Sequence, residues 1–257
     1  MESPFVWNHV TLISHVKELI HKQGSDHAHA PSTAHVAHAA KSSVEGYVIP
    51  KDDGLVSLQD FINQMFGPME QGVYLVVGAG GTPGTVVTRP LEARPGWRGL
   101  LVEANPRNFA RLKDSATNAS LLNTCVNQFS YPNAVFCGVE TGADAWAWRP
   151  HGADVEGAGE EVRRKQEEHF MLKEYVSDQV HLLVLDTPGV ADSILTGLSR
   201  NNFKYNIVIV RAQLRSNGLD NSWYKTLAEE VGLEVFTWLG SHVIMKPPEL
   251  SIAIQNA

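Results

Sequence analysis

Short apolar runs that alternate with helical patterns most restrict how this 257-residue chain can fold. Runs that are apolar on both faces are typical of parallel strands covered by helices on both sides. The runs lie at 73–77, 99–102, 120–126, 134–139, 181–185 and 207–210, and a terminal hairpin follows at 233–239 and 242–245. The sequence therefore predicts an α/β fold. Its sheet is doubly wound and mostly parallel, with about seven strands, helices on both faces and one antiparallel strand from the hairpin.

The N-terminal part of the chain differs from this body. Apolar residues at helical spacing over 1–22 predict an amphipathic helix that either covers the sheet or meets a partner. Residues 23–45 are rich in histidine, alanine and serine, and we expect a flexible linker there. Because a flexible tract has no second shell to orient its ligands, no metal site is predicted. The main domain is predicted over 46–257, with a loop-and-helix insertion at 140–178.

Composition and charge exclude several classes of protein. The net charge of −7 disfavours a nucleic-acid partner, because affinity for phosphates comes from clustered lysine and arginine. Two cysteines exclude a disulfide scaffold and a four-cysteine zinc site. No apolar run approaches the roughly 18 residues of a membrane span. We expect a cytoplasmic chain, although a piece of a membrane-anchored protein would show the same features.

A glycine-rich loop and an acidic residue follow the first two predicted strands. The loop is Gly-Ala-Gly-Gly-Thr-Pro-Gly, residues 78–84, and Glu103 stands 25 residues after Gly78. Glycines let a backbone approach a ligand, and an acid about 20 residues further on accepts ribose hydroxyls. The pattern predicts a nucleoside-type site. Its departure from Gly-x-Gly-x-x-Gly, with Pro83 interrupting the helix start, disfavours an NAD-binding oxidoreductase.

Two segments resemble a known family. Residues 96–106, Gly-Trp-Arg-Gly-Leu-Leu-Val-Glu-Ala-Asn-Pro, with Phe109 and Leu112 after them, resemble the FkbM-type methyltransferase domain and its animal branch that includes the insect Star proteins. Residues 183–189, Leu-Val-Leu-Asp-Thr-Pro-Gly, resemble the Leu-Asp-x-Glu-Gly motif of that family, and 207–211 resembles the strand after it. The resemblance runs from about residue 46 to residue 247.

The resemblance implies a Rossmann-like methyltransferase fold and S-adenosylmethionine as the cofactor. It implies that Asp186 lies at the methyl-transfer position, where its carboxylate is a general base, a substrate ligand or a cap of the following turn. Arg211, also a candidate catalytic residue, either binds an acidic substrate or pairs with Asp186. The residues implied to contact the cofactor are Gly78, Ala79, Gly80, Gly84, Glu103, Asn105, Asn123 and Cys125.

Some positions depart from the family pattern. Val76 and Pro188 stand where the family has acids, Arg211 stands where it has Glu, and Gly80 stands where it has Asn. Because a hydrogen bond to a charged group contributes about 1.5–3 kcal/mol, losing two acids would weaken cofactor binding. Two functions therefore stay open. One is an enzyme that methylates the hydroxyl of a small molecule or glycan; the other is an inactive, Star-like module that binds a protein partner or acts in trafficking.

Overall fold

The computed structural model describes residues 20–22, 55–67, 69–80, 82–115, 117–124, 126, 135–139, 146–150, 179–187, 189–200, 203–212 and 221–252. Its strands are β1 (Ile20–Lys22), β2 (Gln71–Val77), β3 (Gly96–Val102), β4 (Ser120–Leu122), β5 (Val135–Val139), β6 (Trp146–Pro150), β7 (Gln179–Leu185), β8 (Lys204–Arg211), β9 (Glu234–Leu239) and β10 (His242–Lys246). Its helices are α1 (Leu55–Phe66), α2 (Thr82–Glu92), α3 (Pro106–Asp114), α4 (Ala191–Arg200) and α5 (Asn221–Glu230).

The described strands form one large sheet and one hairpin. The large sheet has the order β1-β4-β3-β2-β7-β8-β10-β9. Strands β2, β3, β4, β7 and β8 are parallel, whereas β10 is antiparallel to both of its neighbours. In a dinucleotide-binding sheet the sixth strand lies next to the fifth. Here β10 is inserted between β8 and β9. This is the Rossmann-like methyltransferase sheet, so the predicted fold class is confirmed.

Two apolar layers cover the sheet. Helices α4 and α5 pack on one face, where Ile194 and Tyr224 belong to the same cluster as Leu75 of β2. Helices α1, α2 and α3 pack on the other face, where Phe61 belongs to the same cluster as Val76. Because successive side chains of a strand point to opposite faces, a strand covered on both sides must be apolar at every position. That is the pattern from which the sequence predicts these strands.

The helices that follow β2 and β3 begin with residues suited to a helix start. Asn105 caps α3: its Oδ1 accepts the N–H of Arg107 at 2.9 Å and that of Asn108 at 3.4 Å. Pro106 then occupies the first turn, where a helix needs no N–H from it. Helix α2 begins at Thr82 and takes Pro83 into its first turn. The expectation that Pro83 interrupts this helix start is therefore wrong, because the first turn tolerates proline.

Three segments differ from their predictions. Ile20–Lys22, predicted as the end of an amphipathic helix, form β1, which pairs antiparallel with β4. The apolar run at 120–126 is a strand only over Ser120–Leu122. The run at 134–139 forms β5, which is not part of the main sheet. It pairs with β6, a strand inside the predicted insertion. Most of the predicted N-terminal helix, the linker and the rest of the insertion lie outside the described residues. No helix in the described ranges is long and apolar enough to cross a membrane.

Candidate functional site

The sequence-predicted site residues gather at the carboxyl ends of the parallel strands. The strand order reverses between β2 and β7, because β3 and β4 lie on one side of β2 and β7 and β8 on the other. Ligands of doubly wound folds bind outside the carboxyl ends of the strands at such a reversal. The glycine loop follows β2, Glu103 follows β3, Asn123 follows β4 and Asp186 follows β7. Arg211 is the last residue of β8.

The glycine loop turns sharply after β2 and packs against the neighbouring strands. Gly78 has φ of +83°, a left-handed conformation that side chains other than glycine rarely adopt. Its N–H and that of Ala79 both donate to the Val102 carbonyl, at 2.9 and 3.0 Å. A Cβ on Gly80 would lie 2.6 Å from Oε2 of Glu103. The loop therefore needs glycine at its first position for conformation and at its third position for close approach.

Glu103 holds the loops at the ends of β2 and β3 together. Its carboxylate accepts the N–H of Gly80 at 2.6 Å and the N–H of Asn105 at 2.7 Å, one on each oxygen. The residue is only 6% exposed. Burial raises the pKa of this carboxyl, hydrogen bonds from the backbone of Asn105, Gly80 and Ala104 lower it, and the charge of Asp186 raises it. The central feature of the site is therefore the buried carboxylate of Glu103, which lies between the loops after β2 and β3.

Asn105 and Asn123 support the same corner. Asn105 begins α3 as described, and its backbone donates to Glu103. The Asn123 Nδ2 donates to the Glu103 carbonyl at 2.7 Å and to the Ala104 carbonyl at 3.3 Å. These bonds tie the end of β4 to the loop after β3. Both asparagines thus act on the position of Glu103 through the backbone around it.

A second polar cluster joins the ends of β7, β8 and β10. Nη1 of Arg211 donates to Oδ1 of Asp186 at 3.0 Å, and the Asp186 side chain is 3% exposed. Oδ2 of Asp186 and Oγ1 of Thr187 are buried and have no hydrogen-bond partner within the described part of the chain. His242 lies directly across the β8–β10 ladder from Arg211. Burial lowers the pKa of His242, the charge of Asp186 raises it, and that of Arg211 lowers it further.

The structure brings most of the predicted residues together. One corner of the site is formed by residues that follow β2, β3 and β4: Gly78, Ala79, Gly80, Glu103, Asn105 and Asn123. Asp186 lies next to this corner, because its N–H donates to the Val77 carbonyl at 2.9 Å. Gly84 lies in the first turns of α2. Cys125 and Pro188 lie outside the described residues. Of the two alternatives for Arg211, its pairing with Asp186 is observed.

Two further residues bear on the site. Val76 is fully buried in the apolar layer under α1, α2 and α3, so it offers no acceptor to a ligand. His242 also lies at the site, although it is not among the predicted site residues. In the sequence, His242 is marked only by its position at the start of the terminal strand. The register of β10 against β8 places it beside Arg211. Among the described residues, no group of three or more His, Cys, Asp and Glu is arranged to hold a metal ion.

The chain is similar in fold to solved methyltransferases at low identity. No family model matches it. No curated protein matches it either. A precorrin-6y C5,15-methyltransferase from Geobacter metallireducens is 12% identical, with a TM-score of 0.41 over 80% of this chain and 98% of that one. A putative RNA methyltransferase from Pyrococcus horikoshii is 10% identical, with a TM-score of 0.42 over 75% and 82%. An S-adenosylmethionine-dependent methyltransferase from Aquifex aeolicus is 11% identical, with a TM-score of 0.38 over 73% and 87%. The fold assignment rests on the strand order and on the direction of β10.

Proposed function

We propose that the chain is an S-adenosylmethionine-dependent methyltransferase of FkbM type that methylates a hydroxyl of a small molecule or glycan. The observation that carries this proposal is Glu103, a buried carboxylate at the end of β3 that is bonded to the glycine loop after β2. The absence of a nucleic-acid partner, the cytoplasmic location and the domain boundaries stay predictions from the sequence.

The chemistry of Glu103 suits the ribose of a nucleoside cofactor. An ionised carboxylate has about four acceptor positions on its two oxygens. The N–H groups of Gly80 and Asn105 take one position on each oxygen, and the Ala104 backbone also bonds to the carboxylate, which leaves acceptor capacity for a ribose hydroxyl. Because those backbone bonds already fix the carboxylate, little ordering remains to be done when a ligand binds. The site is therefore organised before the cofactor arrives.

The other residues fit distinct parts of the same site. The glycine loop brings its backbone close to the place where the cofactor would lie, at Gly78, Ala79 and Gly80. Asn123 holds the neighbouring loop after β3 in position. S-adenosylmethionine supplies an electrophilic methyl group when bound. Asp186 stands on the next strand with one buried oxygen that lacks a partner in the described structure. If substrate binding uncovers that oxygen, it can accept the proton of a substrate hydroxyl and orient it for in-line transfer.

A second candidate function is supported by different observations. A catalytically inactive, Star-like module would keep the sheet and lose the cofactor. Val76 offers an apolar side chain where the family has an acid, and Asp186 is already paired with Arg211. Neither change disturbs the core, so the fold would persist without catalysis. This candidate predicts a folded protein that binds a protein partner and no cofactor.

Calorimetric titration with S-adenosylmethionine and S-adenosylhomocysteine separates the two candidates. The enzyme predicts saturable binding that Glu103→Gln weakens about 10- to 100-fold, the loss of a hydrogen bond to a charged group. The matched control is Glu229→Gln, an exposed residue of α5 near the end that leads into β9, away from the site. Thermal melting establishes that each variant is folded. If the folded wild type does not bind the cofactor at millimolar concentration, the methyltransferase proposal is wrong and the inactive, protein-binding module is the remaining candidate.

If the cofactor binds, transfer is measured directly. Isotopically labelled methyl groups are followed from S-adenosylmethionine into a panel of hydroxylated small molecules and glycans. Asp186→Asn is expected to lower the rate at least about 100-fold with cofactor affinity nearly unchanged, because general-base assistance contributes 10²–10⁴-fold. Cofactor affinity and transfer that both survive in Asp186→Asn would contradict the assigned role of Asp186.

A further inference from the structure

Within the described part of the chain, Arg211 has donors without a partner beside the proposed methyl-transfer position. Its side chain is 42% exposed, whereas that of its partner Asp186 is 3% exposed. One nitrogen, Nη1, donates to one oxygen, Oδ1, at 3.0 Å. An arginine that serves only to neutralise a carboxylate commonly engages both oxygens with two parallel hydrogen bonds. Here Oδ2 has no partner among the described residues, so the contact is one-sided, and no second acceptor from those residues meets the guanidinium.

An imidazole side chain lies across the sheet ladder from Arg211. His242 occupies the first position of β10, and its Cα pairs with that of Arg211. It is 8% exposed, and its pKa responds to the charges of both Asp186 and Arg211, so the three side chains are electrostatically close. Because the lowered pKa leaves the imidazole uncharged near neutral pH, Arg211 supplies the positive charge for an anion and His242 lies beside it.

The sheet order sets the distance between this group and the cofactor corner. Neighbouring strands lie about 4.8 Å apart, so β8 lies about 5 Å beyond β7 and about 10 Å beyond β2. Asp186, at the end of β7, therefore stands between the glycine loop and Arg211. A substrate whose hydroxyl meets Asp186 would place a group only a few bonds away against the guanidinium.

We propose that Arg211, with His242 beside it, binds an anionic group of the methyl acceptor, a carboxylate or a phosphate located a few bonds from the reacting hydroxyl. The planar guanidinium presents paired N–H donors that match either oxyanion, which a neutral acceptor would leave unpaired. The inference rests on the proposed function in one respect: it takes the anion to be part of a methyl acceptor. Anion binding at Arg211 itself can be measured whether or not methyl transfer occurs. Asp186 then orients the guanidinium with Oδ1, and its buried Oδ2 meets the hydroxyl once substrate binding uncovers it.

Nuclear magnetic resonance of the full chain tests anion binding without any cofactor. The imidazole Cε1–H signal of His242, assigned with His242→Gln, is followed during titration with sodium phosphate and, separately, sodium acetate. Sodium chloride holds the ionic strength constant, because exposed charges are screened by salt. The wild type is expected to show a saturable shift with a millimolar dissociation constant. Saturation by phosphate alone assigns a phosphorylated acceptor, and saturation by acetate assigns a carboxylate.

Matched variants decide whether Arg211 is responsible. Arg211→Gln is expected to raise the dissociation constant at least about tenfold, and Arg211→Lys to raise it less, since lysine keeps the charge but not the fork. The control, Arg200→Gln, alters an exposed arginine at the last residue of α4 and is expected to leave binding unchanged. A shift that persists in Arg211→Gln, or no saturation by either anion below 100 mM, roughly the limit of specific weak binding, would overturn the inference.

The design remains informative if one variant is unstable. Asp186→Asn/Arg211→Gln removes the charge of both partners, so no unpaired buried carboxylate is left to destabilise the fold, and it is expected to lose anion binding equally. Failure of S-adenosylhomocysteine to bind a protein that binds phosphate would overturn the proposed function while the anion site stands. The reverse result, cofactor binding without anion binding, would overturn this inference alone.

Discussion

The Asp186–Arg211 pair gives the sharpest prediction about stability. Arg211→Gln leaves the Asp186 carboxylate, whose side chain is 3% exposed, without its positively charged partner. The second oxygen of that carboxylate already lacks a partner in the described structure. The variant thus creates a buried charge with no compensating group on either oxygen, which is one of the few changes that destabilise a protein strongly.

The size of the effect follows from the exposure of the two partners. Breaking a fully buried pair costs about 3–5 kcal/mol. Exposed pairs contribute about 0–1 kcal/mol. Because the Arg211 side chain is 42% exposed, water can enter when glutamine shortens it, and the loss lies between these limits. We expect Arg211→Gln to lower the free energy of unfolding by about 1–3 kcal/mol. Asp186→Asn should restore about half of that loss or more, since an amide carries no charge.

Urea unfolding of the wild type, the two single variants and the double variant measures this coupling as a double-mutant cycle. Tryptophan fluorescence and far-ultraviolet circular dichroism report the transitions, and equal slopes establish that the unfolded states are comparable. The expected coupling energy is about 1 kcal/mol or more in favour of the pair. Additive effects within about 0.3 kcal/mol would refute the argument that Arg211 compensates a buried charge.

Three other predictions concern Gly99, Asn105 and His242. Gly99→Ala would place a Cβ inside the ring of Tyr74, so we expect a loss of about 1–3 kcal/mol or more in urea unfolding, with a contradiction if stability is unchanged. Asn105→Ala removes the oxygen that accepts the Arg107 N–H, and a loss of about 1 kcal/mol is expected, which Asn105→Asp should largely avoid. Burial lowers the pKa of His242 below its ordinary value of 6.5, so the unfolded state binds its proton first and stability falls as pH drops below about 6.5. His242→Gln should reduce that fall in thermal melts between pH 7 and pH 5, and an identical profile would contradict the burial argument.

The strands of the sheet and the corner around Glu103 could be predicted from the sequence. Residues 73–77 are apolar on both faces because helices cover both sides of β2, and the same cause makes 181–185 readable as a strand. Glu103 could be predicted because an acid directly after a second strand is a local pattern. The antiparallel β10 could be predicted because a short turn at Gly240 separates two apolar runs.

What could not be predicted depends on pairing between distant segments. Ile20–Lys22 pair with β4, about a hundred residues away, and an apolar segment at helical spacing gives no sign of an edge strand. The run at 134–139 resembles the buried strands in composition, yet its partner is β6 and not the main sheet. His242 joins Arg211 only through the register of β10 against β8. A single sequence carries the apolar pattern of each strand but not the register between strands.

The central claim is that the Glu103 carboxylate receives the ribose of the cofactor. The most direct measurement compares S-adenosylhomocysteine with its 2′-deoxyribose and 3′-deoxyribose analogues by calorimetry, in the wild type and in Glu103→Gln. The account predicts that removal of a ribose hydroxyl weakens binding to the wild type about 10- to 100-fold and binding to the variant about threefold or less, because the charged acceptor is already gone. Equal losses in the two proteins, or no binding of S-adenosylhomocysteine to the folded wild type, would contradict it.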